Sequence, residues 1–549
     1  MKHTTLSRRP FQAAILLAFC FIFIVPAVNA QTKPDGGRPI FPLPKYAEPR
    51  PEPSNRTELV MVLSGEGEGA ELDPRKSFLA SEAQIFTGLY EGLFSYHPLT
   101  LEPVAAAASS WQRSEDKKTW TFTIRQNARY WNGDPVRAED FRSAWLSMLD
   151  PKNETPYSSL YDIIEGAKDY RMGKNTNPAS VGISVQGDRT LIVKLIAPAS
   201  YFPSMLCHHS FSPVHPSMLD GDWSVPISNG PFYVTGKNSN SLTLSKNELY
   251  WDADRVALKK IIIRYTDDGE ESAAMWNSGE ARWIAGTVDL ERLIDRNGIV
   301  VNPMFATYYY YIRSRGPWKD HRLRRALAIS LPWDELRTEY FLRAKTLVFP
   351  VAGYPEIEGM DKTNIEEARS LLEKAGYAKG VGLPELVIRI TPSGEADRIA
   401  KLMAAAWMNL GIPVKLDVVP YNRYFQALER DDYDVGSLSW IGDFADPYTF
   451  LQMWRRDSNL NYARHDDEDF ESLMEESMME EGEARFEILA EAEQLLLDRG
   501  TVLPISYNPA VNVLDTDEIE GWYPNVMDIH PFKYFRFKTT KPLPGIVRR

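Results

Sequence analysis

The most informative stretch of this chain is Ser439-Trp440-Ile441-Gly442-Asp443-Phe444-Ala445-Asp446-Pro447-Tyr448-Thr449-Phe450-Leu451. It directly follows residues 433–438, which are predicted to form a strand. An ionised carboxylate among apolar neighbours is costly unless a cation pairs with it, so a ligand cation is one candidate partner for Asp443. The local sequence also fits a strand-to-helix turn in which Asp443 or Asp446 caps the helix.

Further motifs follow one another in a fixed order between about Leu59 and Phe537. They are Glu71-Leu72-Asp73-Pro74, Leu89-Tyr90-Glu91-Gly92-Leu93, Trp120–Arg125, Tyr130–Val136, Ala138–Phe141, Ser228–Phe232, Lys246–Trp251, Arg322–Leu327 and Ala368–Tyr377. Each motif alone is a weak signal. In this order, and together with the Asp443 stretch, they resemble the periplasmic oligopeptide-binding proteins of peptide ABC transporters, solute-binding protein family 5.

The resemblance implies an α/β fold of the two-lobed periplasmic binding protein type (cluster C), with an extra inserted subdomain and a ligand cleft between the lobes. Two crossing strands join the lobes in this family, which places a hinge near residues 305 and 508. Lobe I is expected at 56–90, 211–305 and 509–540, the inserted subdomain at 91–210, and lobe II at 306–508. Residue patterns alone predict only mixed α/β domains. An example is the strand-helix-strand unit of Leu386–Ile390, Glu395–Leu410 and Val414–Val419.

The N-terminal region has the pattern of a secretory signal peptide at residues 1–30. Basic residues precede an apolar run from Phe11 to about Val28, and small residues end it at Ala30. The mature chain is therefore expected to begin near Gln31 and to be periplasmic. A retained membrane anchor is the alternative, whereas a lipid anchor at Cys20 is disfavoured because Phe19 stands where a small residue is needed. Residues 31–55 are proline-rich and are predicted to be a disordered linker.

Composition narrows the functional class. The net charge of -13 argues against nucleic acid and anionic membranes as partners. No histidine spacing indicates a metal site, and neither a His-Glu-x-x-His nor a Gly-x-Ser-x-Gly motif is present. The family resemblance implies a monomeric receptor that is not an enzyme and has no cofactor, although a secreted hydrolase that uses a carboxylate pair stays an alternative.

By resemblance, Asp443 is expected to bind the ammonium group of a peptide ligand. Trp440 would flank the first ligand residues, and the main chain of Ser439 and Ile441 would pair with the ligand backbone. The other predicted ligand-binding residues are Asn229, Gly230, Tyr309, Tyr421, Tyr507 and Asn508. Simple core packing is the alternative for each tyrosine.

The chain departs from the family pattern at the far end of the expected ligand. Basic side chains and a histidine that meet the peptide carboxylate in well-known family members are replaced here by Ala396, Leu428 and Ser437. Phe78 also stands where an acidic residue is common. The resemblance implies a receptor that captures peptides and delivers them to the membrane permease of an ABC importer. Dipeptides, nickel complexes, haem and oligosaccharides stay open as other cargoes.

Overall fold

The structure is a computed structural model that describes residues 56–538, except positions 66, 68, 154 and 341. The predicted signal peptide and linker, and residues 539–540 of the predicted lobe I, lie outside this part. The strands are β1 (Glu58–Leu63), β2 (Phe94–Tyr96), β3 (Pro103–Ala105), β4 (Ala108–Arg113), β5 (Thr119–Ile124), β6 (Ile183–Gln186), β7 (Thr190–Lys194), β8 (Phe232–Asn238), β9 (Ser241–Lys246), β10 (Lys260–Tyr265), β11 (Trp283–Ile284), β12 (Ile299–Ile312), β13 (Leu386–Ile390), β14 (Val414–Val418), β15 (Val435–Ile441), β16 (Val502–Leu514), β17 (Ile519–Glu520) and β18 (Arg536–Phe537). The α-helices are α1 (Ala80–Leu89), α2 (Ala138–Leu149), α3 (Ala167–Arg171), α4 (Phe202–Met205), α5 (Gly269–Ser278), α6 (His321–Ile329), α7 (Trp333–Leu336), α8 (Ile365–Lys374), α9 (Gly394–Asn409), α10 (Tyr421–Leu428), α11 (Tyr448–Leu451), α12 (Glu468–Ser477) and α13 (Gly482–Asp498).

A ten-stranded mixed sheet organises the molecule, in the order β14-β13-β15-β12-β16-β11-β1-β10-β9-β8. Its two longest strands, β12 and β16, are rich in β-branched and aromatic residues and pair antiparallel with each other. The end of β12 also pairs with β15, whereas the end of β16 pairs with β11. These two strands therefore join the half of the sheet around β13–β15 to the half around β1 and β8–β11.

The pairing of the two long strands is interrupted between Pro303 and Thr307. Proline has no N–H to donate to a ladder, and the neighbouring Phe305 N–H donates instead to the carbonyl of Val526 at 2.5 Å. A local break in the ladder lets a strand bend. The break lies near residue 305, where the family resemblance places a hinge.

The predicted strand-helix-strand unit is present as β13, α9 and β14, with the two strands parallel. The Ser393 hydroxyl accepts the Ala396 N–H and caps the start of α9. Gly411 ends the unit's helix with a φ of 87°, a conformation that favours glycine. This part of the chain was predictable because caps and hydrophobic periodicity agree.

Residues 91–210 contain a separate antiparallel sheet, in the order β4-β5-β7-β6. Helix α2 packs against it and contributes Trp145, whose ring centroid lies 5.9 Å from that of Tyr161 and 5.4 Å from that of Phe211. No helix of the described residues is both long enough and apolar enough to cross a membrane.

Candidate functional site

Asp443 lies in the tight turn that leads from β15 to α11. Its N–H donates to the Thr449 hydroxyl oxygen at 2.9 Å, and that hydroxyl lies 3.2 Å from the Asp443 carboxylate, to which it donates. The residue before it must be glycine, because a side chain at Gly442 would collide with the Phe305 ring. The backbone therefore holds the carboxylate in one place.

Three residues from the predicted inserted subdomain close around Asp443. The Tyr96 hydroxyl donates to the Asp443 carbonyl at 2.9 Å, and the Tyr157 hydroxyl is directed at the carboxylate. The Nε2 atom of His208 lies 3.8 Å from Oδ1. Asp443 is only 7% exposed as a result. In the part of the chain that the structure describes, no lysine or arginine pairs with this carboxylate.

The electrostatics of this site leave a place for a cation. Burial raises the pKa of Asp443 to about 7, although hydrogen bonds from Tyr157 and Thr449 offset part of the shift. Burial, with a smaller contribution from His209, lowers the pKa of His208 well below its ordinary value, so His208 is neutral. A buried carboxylate beside a neutral imidazole favours a positively charged ligand group.

The strand that precedes Asp443 has an open edge. The Gly442 N–H donates to the Phe305 carbonyl, so alternate residues of β15 face β12. The main-chain groups of Ser437 face the other way, toward Tyr424. By the same alternation Ser439 and Ile441 direct their N–H and C=O away from β12. The pairing of β13 with β15 is confined to Ile388 and Val435, and no other described strand pairs with the edge beyond Val435.

The structure places several predicted residues on β15 or on β16, which lies across β12 from it. Trp440 is partly buried and its indole N–H has no hydrogen-bond partner among the described residues. The Asn508 side-chain amide donates to the Ser439 hydroxyl at 2.5 Å. Tyr507 lies across β12 from Trp440, with its hydroxyl 2.5 Å from that of Thr346.

Of the other four predicted residues, three have structural contacts and one is exposed. Asn229 is buried and exchanges two hydrogen bonds with the main chain of Glu91, at 3.1 and 2.8 Å. The Gly230 N–H donates to the Leu89 carbonyl at 2.8 Å, and a side chain there would collide with the end of α1. Tyr309 is fully buried, with its hydroxyl 3.8 Å from the Met453 sulphur. Tyr421 is 65% exposed on α10. Ligand contact stays a prediction for these four residues.

Sequence reasoning missed four residues of this site: Tyr96, Tyr157, His208 and Tyr424. His208 has no sequence signal, because no histidine spacing in the chain indicates a metal site. No local motif identifies the three tyrosines, because each meets Asp443 or β15 only in the folded chain.

Both halves of the molecule contact each other around the site. The rings of Phe78 and Phe425 lie 5.1 Å apart. Arg171 donates to the carbonyl of Asp457 at 2.7 Å, and Arg113 pairs with Glu481 at 2.9 Å. These contacts join residues before 210 to residues beyond 420, so the structure shows the cleft in a closed arrangement.

Comparison with known proteins supports the same reading of the fold. The model of the bacterial extracellular solute-binding proteins, family 5, matches residues 102–462. The dipeptide-binding protein DppE of Bacillus subtilis is 29% identical over 508 residues, covering 88% of this chain and 91% of that protein. The oligopeptide-binding protein OppA of the same organism is 31% identical over 437 residues, covering 74% and 80%.

A solved structure also bears on the closed arrangement. The murein tripeptide binding protein MppA of Escherichia coli superposes with a TM-score of 0.78 at 26% identity, covering 89% of this chain and 100% of that one. The unliganded open form of MppA gives a TM-score of only 0.63, with 88% and 98% covered. The chain therefore has the two-lobed fold of these proteins, and it superposes less well on the open form.

Proposed function

Because this chain belongs to the bacterial extracellular solute-binding proteins of family 5, we propose that it is a peptide receptor of an ABC importer. The observation that carries the proposal is a buried carboxylate, Asp443, which no lysine or arginine of the described chain pairs with and which stands at the end of an open strand edge. Proteins similar to this one are named for dipeptides, oligopeptides and murein peptides. All of these ligands share a main chain, and many share a free ammonium group.

The site suits a ligand that is recognised by what all peptides have in common. The ammonium group pairs with Asp443 in a dry cleft, where a charge-assisted hydrogen bond is strong. The ligand main chain adds as a strand to Ser439 and Ile441, which supplies affinity without reading side chains. Since the ammonium lies at the Asp443 end, the ligand runs antiparallel to β15.

The receptor acts by closing and opening rather than by catalysis. Lobe I (56–90, 211–305 and 509–540) with the inserted subdomain (91–210) closes on lobe II (306–508), and β12 and β16 bend at the break near Phe305. The closed monomer then delivers its peptide to the permease in the membrane. Periplasmic location follows from cleavage of the proposed signal peptide at residues 1–30.

Native mass spectrometry of gently purified protein tests the cargo. We expect co-purified masses that fragment as short peptides and that disappear after denaturation and refolding. A sugar, a metal complex or a bile acid in their place would contradict a peptide receptor, and turnover of the ligand would indicate an enzyme.

Peptide should bring the lobes together. At pH 7.5, saturating peptide is expected to lower the radius of gyration measured by small-angle scattering, because the open form becomes the closed one. An Asp443→Ala variant at the same peptide concentration is the control and should show a smaller decrease, because less of it is bound. Identical profiles of wild type with and without bound peptide would rule out a closing cleft.

Acid should close the empty receptor. In the closed form the pKa of Asp443 is raised to about 7 by burial, whereas an exposed aspartate in the open form ionises near 3.8. Closing therefore takes up a proton between about pH 4 and 7, and each unit of lower pH in that window favours closure by up to about tenfold. His208 is neutral in the closed form, where burial lowers its pKa, so its release on opening takes up a proton below about pH 6.5 and offsets part of this trend.

Scattering of the ligand-free protein at pH 7.5 and 5.5 measures this effect. We expect a smaller radius of gyration at pH 5.5 in wild type and no such change in Asp443→Asn, whose amide does not titrate. A radius that grows with acid, or an equal response of the variant, would refute the role given to Asp443.

A further inference from the structure

Strands β13 and β15 form a fork. They run parallel and pair at Ile388 and Val435, then separate. The hydroxyl of Tyr424, from α10, lies inside the fork. It accepts the Ser437 N–H at 3.0 Å, and its own hydrogen faces the carbonyls of Ser437 at 2.9 Å and Arg389 at 3.3 Å. Tyr424 therefore takes the place that the main chain of an added strand would occupy at Ser437.

At both ends of the open edge of β15, other residues already bind the outward main-chain groups. Tyr424 satisfies the outward N–H and C=O of Ser437. At the other end, Thr449 accepts the Asp443 N–H and Tyr96 donates to the Asp443 carbonyl. Between these two ends, Ser439 and Ile441 are the residues whose outward N–H and C=O groups no other described residue binds. The edge from Ser437 to Ile441 spans four residue steps, about 14 Å of strand.

No charged residue stands at the positions where the family resemblance predicts a contact with the carboxyl end of the ligand. Ala396, Leu428 and Ser437 are all buried, and none of them carries a charge. Tyr424 itself is fixed, since only 3% of it is exposed and its ring packs 6.2 Å from Phe425. The rigid Tyr424 side chain, which fills the space between β13 and β15, is thus the feature that ends the open edge of β15.

We propose that Tyr424 determines ligand length and restricts the receptor to peptides of three or four residues. This inference rests on the proposed function. With its ammonium at Asp443, the first ligand residue lies opposite Ile441 and the third opposite Ser439, because antiparallel partners recur every second residue. A fifth residue needs the main chain of Ser437, which Tyr424 already occupies.

A length series on the wild-type protein tests the limit without any substitution. Calorimetry with alanine peptides of two to six residues, all with free amino ends, is expected to give the highest affinity at three or four residues. Five and six residues should bind at least about tenfold more weakly. Equal or tighter binding of the longer peptides would overturn the limit and leave the peptide receptor intact. Failure of every length to bind would overturn the receptor function, and the limit with it.

Replacing Tyr424 tests whether this residue sets the limit on ligand length. Tyr424→Ala removes the phenol and should raise the affinity for the five-residue peptide at least about fivefold relative to the three-residue peptide. Gln426→Ala, exposed on the opposite face of α10, is the control and should keep the wild-type length profile. A wild-type profile in a folded Tyr424→Ala protein would overturn the assignment.

Amide hydrogen exchange on wild type covers the case in which Tyr424→Ala does not fold. The Ser437 amide should be protected before peptide is added and should not change on binding. The amides of Ser439 and Ile441 should gain protection when the three-residue peptide binds. New protection at Ser437 on peptide binding would contradict its occupation by Tyr424.

Discussion

Replacing Asp443 with alanine is expected to weaken peptide binding by about 2–5 kcal/mol while leaving the fold intact. The ligand ammonium would enter the closed cleft without a counter-charge, and part of the loss is the cost of that unpaired charge. In the ligand-free open form Asp443 is exposed, and no lysine or arginine of the described chain pairs with it, so its removal breaks no ion pair there. The free energy of unfolding without ligand should therefore not fall. Calorimetric titration and thermal unfolding at pH 7.5 measure the two quantities.

The control is Asp334→Ala, which removes a fully exposed carboxylate and should change neither binding nor unfolding. Asp443→Asn keeps the shape of the side chain and should lose nearly as much affinity as alanine. Wild-type affinity in either Asp443 variant would show that the ammonium group is bound elsewhere.

Replacing Arg485 with methionine is expected to destabilise the protein by about 3–5 kcal/mol. The Arg485 guanidinium makes two hydrogen bonds of 2.8 Å to the carboxylate of Asp446, and only 2% of its side chain is exposed. It also lies 4.5 Å from the ring centroid of Tyr201, in the predicted inserted subdomain. Its loss leaves the largely buried Asp446 carboxylate without a positively charged partner, and the temperature of thermal unfolding should fall by several degrees.

Two further variants separate this effect from a general sensitivity to arginine loss. Arg322→Met breaks the exposed pair with Asp320 and should cost less than about 1 kcal/mol. Adding Asp446→Asn to Arg485→Met should recover part of the stability, because the unpaired charge is then absent. Equal unfolding temperatures for Arg485→Met and wild type would show that the buried pair contributes nothing.

Local sequence predicted those parts of the fold in which neighbouring residues decide the structure. The unit β13-α9-β14 followed from periodicity and helix caps, and its observed bounds differ from the predicted ones by a residue or less at each end. The aspartate at 443 was predicted to be a costly buried carboxylate, and it is buried. The order of the two lobes along the chain came from family resemblance, since patterning alone does not specify which strands pair.

The surroundings of Asp443 could not be predicted, because they are assembled from distant parts of the chain. Tyr157 and His208 approach the carboxylate only once the inserted subdomain packs against the turn after β15.

Asn229 is a residue whose local sequence allows two different roles. A polar residue before a glycine suits a ligand contact as well as a turn, and here its amide is used by the main chain of Glu91. Which outcome occurs depends on the tertiary partner rather than on the local sequence.

The most direct test of the account is a calorimetric comparison of a three-residue peptide with its N-acetylated form, on wild type and on Asp443→Ala at pH 7.5. The account predicts that wild type binds the free peptide at least about 30-fold more tightly, equivalent to about 2 kcal/mol. Asp443→Ala should bind both forms alike, since the two changes remove one interaction and do not add. Equal affinity of wild type for the free and the acetylated peptide would contradict the claim that Asp443 binds the ligand ammonium.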